Sequence, residues 1–409
     1  MMALLMALTL LSGGLVVYSY AGFPLLLSRL SRGRTLPGPV HSPADALPAV
    51  DVLLAVHNEE VVLEQKIRAT FATTYPRTHL RLLVGSDGST DHTNALLARL
   101  ATEFPQLHYT AFAERQGKPG VMQYLSAQAT APVLVLTDAN VFFEPTTLFE
   151  LVKYFANPHV GLVGANVLAP PMLAGPNQGI TAQESAYLAR ENHFKYQESV
   201  IWGAAMGAHG GAFAVRRAAY TPAPAGFVVD DFFTSMAALR AGYQVLLNPA
   251  ARATEDVGYH VAEEFRRKAR ISVGNFQNAH EFRRLLWPPW RGVAFAFWSH
   301  KVLRWLTPHL LLLGLAASMA LVARGAGWFW QLALVGQVAL PLLGGLDWLL
   351  RRAGGPPVAG LRYIRHFYVM NAALLLGWWR YLRRQRSAVW RPTARNQHAG
   401  HGPPPRVGP

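Results

Sequence analysis

The sequence predicts an α/β domain built on a parallel sheet and carried by transmembrane helices. Three observations predict it. Apolar, β-branched runs alternate with helical patterns from about residue 50 to residue 137, as expected of strands joined by helical crossovers. Several of those runs stop abruptly at a carboxylate, and in open α/β sheets ligands bind at that C-terminal edge. Hydrophobic residues make up 51% and charged residues only 15% of the 409-residue chain, a balance that points to membrane segments.

The elements follow in order. Residues 2–27 are almost wholly apolar and long enough to span a bilayer. No Lys or Arg precedes them, and Arg29, Arg32 and Arg34 follow. That pattern predicts an uncleaved anchor over 1–28 with its N-terminus outside and the next segment in the cytoplasm. Pro37, Pro39, Pro43 and Pro48 mark 29–48 as a linker. Val50 to Val56 reads as a strand, followed by His57-Asn58-Glu59-Glu60 and a helix to about Thr73. Leu80 to Ser86 is a second strand, running into Asp87-Gly88-Ser89-Thr90-Asp91 and a helix to about Glu103. Leu107 to Ala111 is a short strand and Lys118 to Ala127 a helix. Val133 to Thr137 then reads as a strand buried on both faces that turns into Asp138-Ala139-Asn140.

Beyond it, Gly161 to Val167 is strand-like, Gln183 to Trp202 helical, and Gly203 to Arg217 glycine-rich and then strand-like. Asp231 to Ala241 reads as a helix closed by Gly242, Tyr243 to Leu247 as a strand, and Glu263 to Arg284 as a strongly basic helix. The soluble domain therefore covers 49–285. Trp287, Trp290, Trp298 and Trp305 among Arg291, Lys301 and Arg304 make 286–306 an amphipathic interface segment. Residues 307–323 and 327–350 are spanning candidates, and 366–382 is a shorter third, giving a membrane region over 307–382 and a basic tail over 383–409. Two crossings leave the Arg-rich end inside; a third would put it outside. Either 366–382 lies in the interface or an earlier Trp-rich segment crosses.

The net charge is +15, and no Asp or Glu follows Asp347. The aromatics lie in apolar runs rather than interleaved on a basic sheet, so the charge points to anionic lipid and away from nucleic acid. The chain contains no Cys, which excludes disulfides and thiolate metal sites.

Seven stretches carry chemistry: AVHNEE at 55–60, SDGSTD at 86–91, GKPGVMQ at 117–123, TDAN at 137–140, GAHGGAFAVRR at 207–217, VDD at 229–231 and RKAR at 267–270. In this order and spacing they resemble the membrane-bound family 2 glycosyltransferases, the group that includes cellulose and hyaluronan synthases. The resemblance covers roughly residues 48–307. It implies a Rossmann-like GT-A nucleotide-sugar transferase domain and inverting transfer from a UDP-sugar to a glycan acceptor. The alternatives are transfer to a lipid carrier or membrane lipid, or a non-catalytic scaffold.

The resemblance also implies roles. Asp87 is the reader of the uracil base, with His57 and Glu59 near the nucleotide; the plain alternative for Asp87 is a turn or helix cap. Lys118 opens a helix where a cation and free N–H groups suit a diphosphate. Asp138 and Asn140 stand at the family's Asp-any-Asp motif, which holds ribose and a divalent cation, Mg or Mn. The second acid is Asn here, and an amide oxygen can ligate without contributing charge. Asp231 is the general base and Asp230 its electrostatic neighbour, because Val229-Asp230-Asp231 leads into a helix, a glycine, a strand and a proline. The literal Thr254-Glu255-Asp256 triplet lacks that sequel and is expected to be a decoy. His209 lies in a glycine-rich stretch near the acceptor. Arg270 keeps its place in the last motif as a phosphate contact, with Arg267 beside it, but the motif's Trp is replaced by Ile271, which weighs against processive synthesis through the membrane.

Overall fold

A computed structural model describes residues 1–169, 178–255, 261–355 and 358–384. Eight strands form a single sheet: β1 (Val50–Val56), β2 (Leu80–Asp87), β3 (Leu107–Phe112), β4 (Val133–Thr137), β5 (Val141–Phe143), β6 (Val160–Leu168), β7 (Ala212–Arg216) and β8 (Gln244–Glu255). Their order across the sheet is β3-β2-β1-β4-β7-β6-β8-β5. The β3-β2-β1-β4 half is parallel, as the alternation predicts. The other half is not: β7 runs antiparallel to both β4 and β6, and β5 antiparallel to β8. The sheet is therefore mixed. The strand expected at Tyr243–Leu247 also continues much further, through Glu255. It survives Pro249 because its pairing with β6 jumps from Ala165–Asn248 to Asn166–Arg252. A proline without an N–H is tolerated in such a bulge.

Register sets where the polar groups emerge. Leu54 lies opposite Thr137 and Val56 opposite Ser86, so His57, Asp87 and Asp138 leave the sheet at one edge. All five residues of β4 are buried, which explains its uninterrupted apolar run. One face of the sheet packs Leu63, Ile67, Leu97, Leu100 and Leu148 from three helices. The other packs Val121, Leu125, Phe232 and Met236 together with Phe282, Phe297 and Trp305. Each such fully buried aliphatic or aromatic side chain contributes about 1.5–3 kcal/mol.

Among the described residues, three helices are long and apolar enough to cross a membrane: Met2–Leu30, Gly292–Ala323 and Trp328–Arg352. The first is docked to the domain through Phe23 and Leu27, which bury against Phe194. The Trp-rich segment is divided: Trp287 and Trp290 are exposed, while Trp305 is buried and Trp298 donates its indole N–H to the Leu286 carbonyl at 3.0 Å. The stretch 366–382 belongs to the helix Ala359–Leu382, which lies against Val261–Glu281. Gly377 permits the approach, since a Cβ there would fall 2.3 Å from the Ser272 Cβ. The Ser272 hydroxyl donates to the Leu374 carbonyl at 2.8 Å, and Phe276 stacks on Tyr381. This helix packs on the apolar helix Trp328–Arg352 as well as on Val261–Glu281.

Candidate active site

The nucleotide-facing edge is built from strand ends. His57 follows β1, and its Nδ1 lies 2.8 Å from the Asp87 carbonyl oxygen. Glu59 is buried, and its backbone N–H donates to the Thr93 hydroxyl at 3.0 Å. Asp87 ends β2 almost fully buried. Its carboxylate accepts the backbone N–H of Gln116 at 2.5 Å, the N–H of Gly117 at 3.1 Å and the Arg115 Nε at 3.0 Å. Asp87 thus clamps the start of the helix Gly117–Gln128, satisfying N–H groups that the helix itself leaves unpaired.

That clamp positions Lys118 in the first turn. Its Nζ lies 2.9 Å from Asp138 Oδ1 and 3.6 Å from Asp230 Oδ2. Burial opposes the ammonium charge, but Asp138, Asp230 and more distantly Asp231 outweigh it and raise the lysine pKa far above its usual range. Lys118 is therefore the hub of the site. The carboxylates of Asp138, Asp230 and Asp231 come together around it, while Asp87 holds the backbone of the two residues that precede it.

Asp230 and Asp231 occupy the first turn of the helix Asp230–Arg240. Neither caps it, since the N-cap is Val229. Asp231 Oδ1 accepts the Phe232 N–H at 2.7 Å. Its Oδ2 faces Gly210, where a Cβ would stand 2.8 Å away. Burial and the like charge of Asp230 push the Asp231 pKa up, against the pull of Lys118, the Phe232 N–H and His209. A raised carboxylate pKa suits proton abstraction near neutral pH.

His209, Asn140 and Glu255 form the far wall. The Gly211 N–H donates to His209 Nδ1 at 3.2 Å. In the neutral ring the proton therefore sits on Nε2, which faces Glu255 Oε2 at 3.3 Å. Burial first, and Lys195 second, lower the His209 pKa to about 4, so the ring is neutral at physiological pH. The Asn140 amide also donates to Glu255, at 3.3 Å. The sequence reading set Glu255 aside with the Thr254-Glu255-Asp256 triplet, which it placed after a strand ending at Leu247; β8 instead runs through Glu255. Of the expected decoy triplet, Thr254 and Glu255 lie in β8, and Asp256 falls outside the described residues. Arg267 is exposed and pairs with Glu264 at 2.8 Å. Arg270 sits closer in: burial and Arg267 lower its pKa while Asp230 and Asp231 pull the other way.

Residues 51–221 match the family model described as glycosyl transferase family 2. The chain carries a glycosyl transferase family 2 domain. A beta-monoglucosyldiacylglycerol synthase of Synechocystis is 27% identical over 176 residues, 42% of this chain and 36% of that protein. The glycosyltransferase AglE of Haloferax volcanii is 27% identical over 137 residues, 34% of this chain and 44% of its own. The match thus spans less than half the length of these curated relatives. Among solved structures, the mannosyltransferase PcManGT from Pyrobaculum calidifontis, in complex with GDP-Man and Mn2+, superposes with a TM-score of 0.68 at 23% identity, over 92% of this chain and 99% of that one. The glycosyltransferase domain has the GT-A fold.

Two further features of this domain bear on its chemistry. Lys66 is fully buried beneath the Asp138–Asn140 turn. Its Nζ donates to the Thr137 hydroxyl at 2.7 Å and to the Val141 carbonyl, gripping both residues that flank the turn, and it lies 4.0 Å from the Phe143 ring centroid. Burial lowers its pKa to about 7, and Asp138 partly opposes this. The second feature concerns a cation. Among the described residues no three His, Cys, Asp or Glu side chains gather to hold a metal ion. Asp138 and Asn140 would supply one carboxylate and one amide oxygen to a divalent cation, a donor set of the hard-oxygen kind such ions take.

Proposed function

We propose that the protein is a membrane-bound inverting glycosyltransferase that moves a sugar from a UDP-sugar to a lipid or glycan acceptor at the membrane surface. The observation that carries this reading is Lys118, held between Asp138 and Asp230 with Asp231 beside them. One ammonium joins a diphosphate-binding edge to a carboxylate of raised pKa. His57, Glu59 and Asp87 form the nucleoside end; Asp87 retains acceptor capacity for a base N–H beyond its bonds to the 115–117 turn. Lys118 and Arg270 hold the diphosphate. A divalent cation, Mg or Mn, bound by Asp138 and Asn140, would neutralise charge on the leaving group.

The chemistry is a single displacement. An acceptor hydroxyl attacks the anomeric carbon, its proton passes to Asp231 Oδ2, and the anomeric carbon–oxygen bond to the diphosphate breaks. Asp230 keeps the Asp231 pKa high enough to take the proton, and Lys118 meets the charge developing on the departing phosphate. His209, neutral and held by Glu255 and the Gly211 N–H, lines the acceptor side.

A lipid acceptor is favoured over a growing polysaccharide. Ile271 stands in place of the motif's Trp, and the contact of the helix Ala359–Leu382 with Val261–Glu281 supports a position against the domain. Three crossings, with the catalytic domain and the basic tail both cytoplasmic, satisfy the positive-inside rule. The decisive experiment supplies the full-length protein in vesicles with UDP- and GDP-sugars, Mg or Mn, and diacylglycerol. It reads nucleoside diphosphate release and product mass. Release with a glycosylated lipid is expected for a UDP-sugar. Tight nucleotide binding without turnover of any donor overturns the reading in favour of a scaffold.

A further inference from the structure

A buried polar chain joins the membrane helix Gly292–Ala323 to the glycine-rich turn beside Asp231. Glu191 and Glu198 lie on the helix Gln178–Trp202, seven residues apart and so on one face. His300 is fully buried between them. Its Nδ1 is 2.6 Å from Glu198 Oε1, and its Nε2 is 3.1 Å from Glu191 Oε2. Lys301 and Arg304 also bind Glu191, at 2.9 and 2.6 Å. His300 lies in a single wide π turn, Phe297–Val302, within an otherwise α-helical segment. Such single π turns inside α-helices are frequent at functional sites.

The second oxygen of Glu198 continues the path. It accepts the Met206 backbone N–H at 2.9 Å. Met206 opens the glycine turn. Gly207 has φ +89°, and a Cβ there would fall 2.6 Å from the Phe232 ring. The Ala208 N–H donates to the Ser235 hydroxyl, which donates to the Asp231 carbonyl, both at 2.9 Å. Gly210 lies against Asp231 Oδ2. The Gly211 carbonyl accepts from the Thr137 hydroxyl at 2.8 Å and from the Asp138 N–H at 3.2 Å. One stretch of backbone therefore touches both Asp231 and the Asp138 turn, and its entry is fixed by a glutamate that the membrane helix holds.

We propose that His300 is a positioning residue for glycosyl transfer: through Glu198 it fixes Met206 and with it the 207–211 turn that bounds Asp231 and Asp138. The membrane helix is then part of the active-site framework as well as an anchor. This rests on the proposed role of Asp231, but the linkage can be measured without any donor. The test uses the full-length protein in vesicles and the variants His300→Ala, Glu198→Ala and Glu198→Gln. Amide hydrogen exchange is expected to speed up at least ~10-fold over 206–211 in both Ala variants, with β1 to β4 unchanged. Glu198→Gln keeps an oxygen that can accept the Met206 N–H and is expected to restore most of the protection. With a donor that turns over, kcat should fall roughly 10- to 100-fold in His300→Ala, with UDP affinity unchanged by calorimetry. Wild-type exchange over 206–211 in Glu198→Ala overturns the proposal. So does faster exchange of equal size across β1 to β4, which would make the contact a support of the whole fold. An inactive wild type with the predicted exchange pattern would sink only the transferase reading.

Discussion

The two halves of the site are made differently. On the β3-β2-β1-β4 side, each polar residue leaves the end of a parallel strand and is fixed by the turn that follows it. His57, Asp87 and Asp138 are all of this kind. On the β7-β6-β8-β5 side, the groups come from a glycine turn, a helix start and a strand end. Glu255, His209 and Asp231 meet only because distant segments pack together. A nucleotide presents the same shape in every such domain and can be met by local strand–turn–helix geometry. The side proposed to meet the acceptor is assembled by long-range contacts, including those with the apolar helix Gly292–Ala323. Lys118 is where the halves touch.

Removing that junction should have the largest effect. Lys118→Met is expected to weaken UDP binding and to reduce transfer roughly 100- to 1,000-fold, because the variant loses a preorganised cation at the leaving group. Calorimetry with UDP and a nucleotide-release assay check both. If binding alone suffers, Lys118 serves only the nucleotide half and the comparison needs redrawing.

A smaller loss should follow from disturbing the acceptor half alone. Gly210→Ala places a methyl 2.8 Å from Asp231 Oδ2, so the carboxylate must move. The expected result is a fall in kcat of roughly 10- to 100-fold with UDP affinity intact. Equal losses of kcat and nucleotide affinity would erase the distinction between the halves.

The smallest effect is a displacement in pH. The proposed base, Asp231, would work deprotonated, and its pKa is raised by burial and by Asp230. Asp230→Asn removes a negative charge, so the Asp231 pKa falls and the rising limb of kcat against pH moves to lower pH. A limb that stays in place would assign the titration to another group.

This division also explains what the sequence disclosed. Asp87, Lys118, Asp138 and Asp231 were legible because apolar strands or helix starts bracket them. The parallel order was legible for four strands, but β7 reverses direction through long-range pairing that no local pattern encodes. Lys66 carries no signal in the sequence because its burial depends on β4 and β5 lying over it. Glu255 was hidden by Pro249, which looks like a strand terminator until the bulge at 249–251 is seen. Glu198 and His300 are 102 residues apart. A histidine in an apolar helix was the one signal that could have drawn attention to them.

The central claim is that a nucleotide-binding edge and a separate base meet at one cleft, and it is tested most directly by Asp231→Asn. Transfer and UDP affinity should be measured in the same preparation, with Asp256→Asn as the control. The account predicts that Asp231→Asn lowers transfer roughly 100- to 10,000-fold while UDP binds as in the wild type, and that Asp256→Asn remains active. Full transfer by Asp231→Asn, with loss in Asp256→Asn instead, would contradict it.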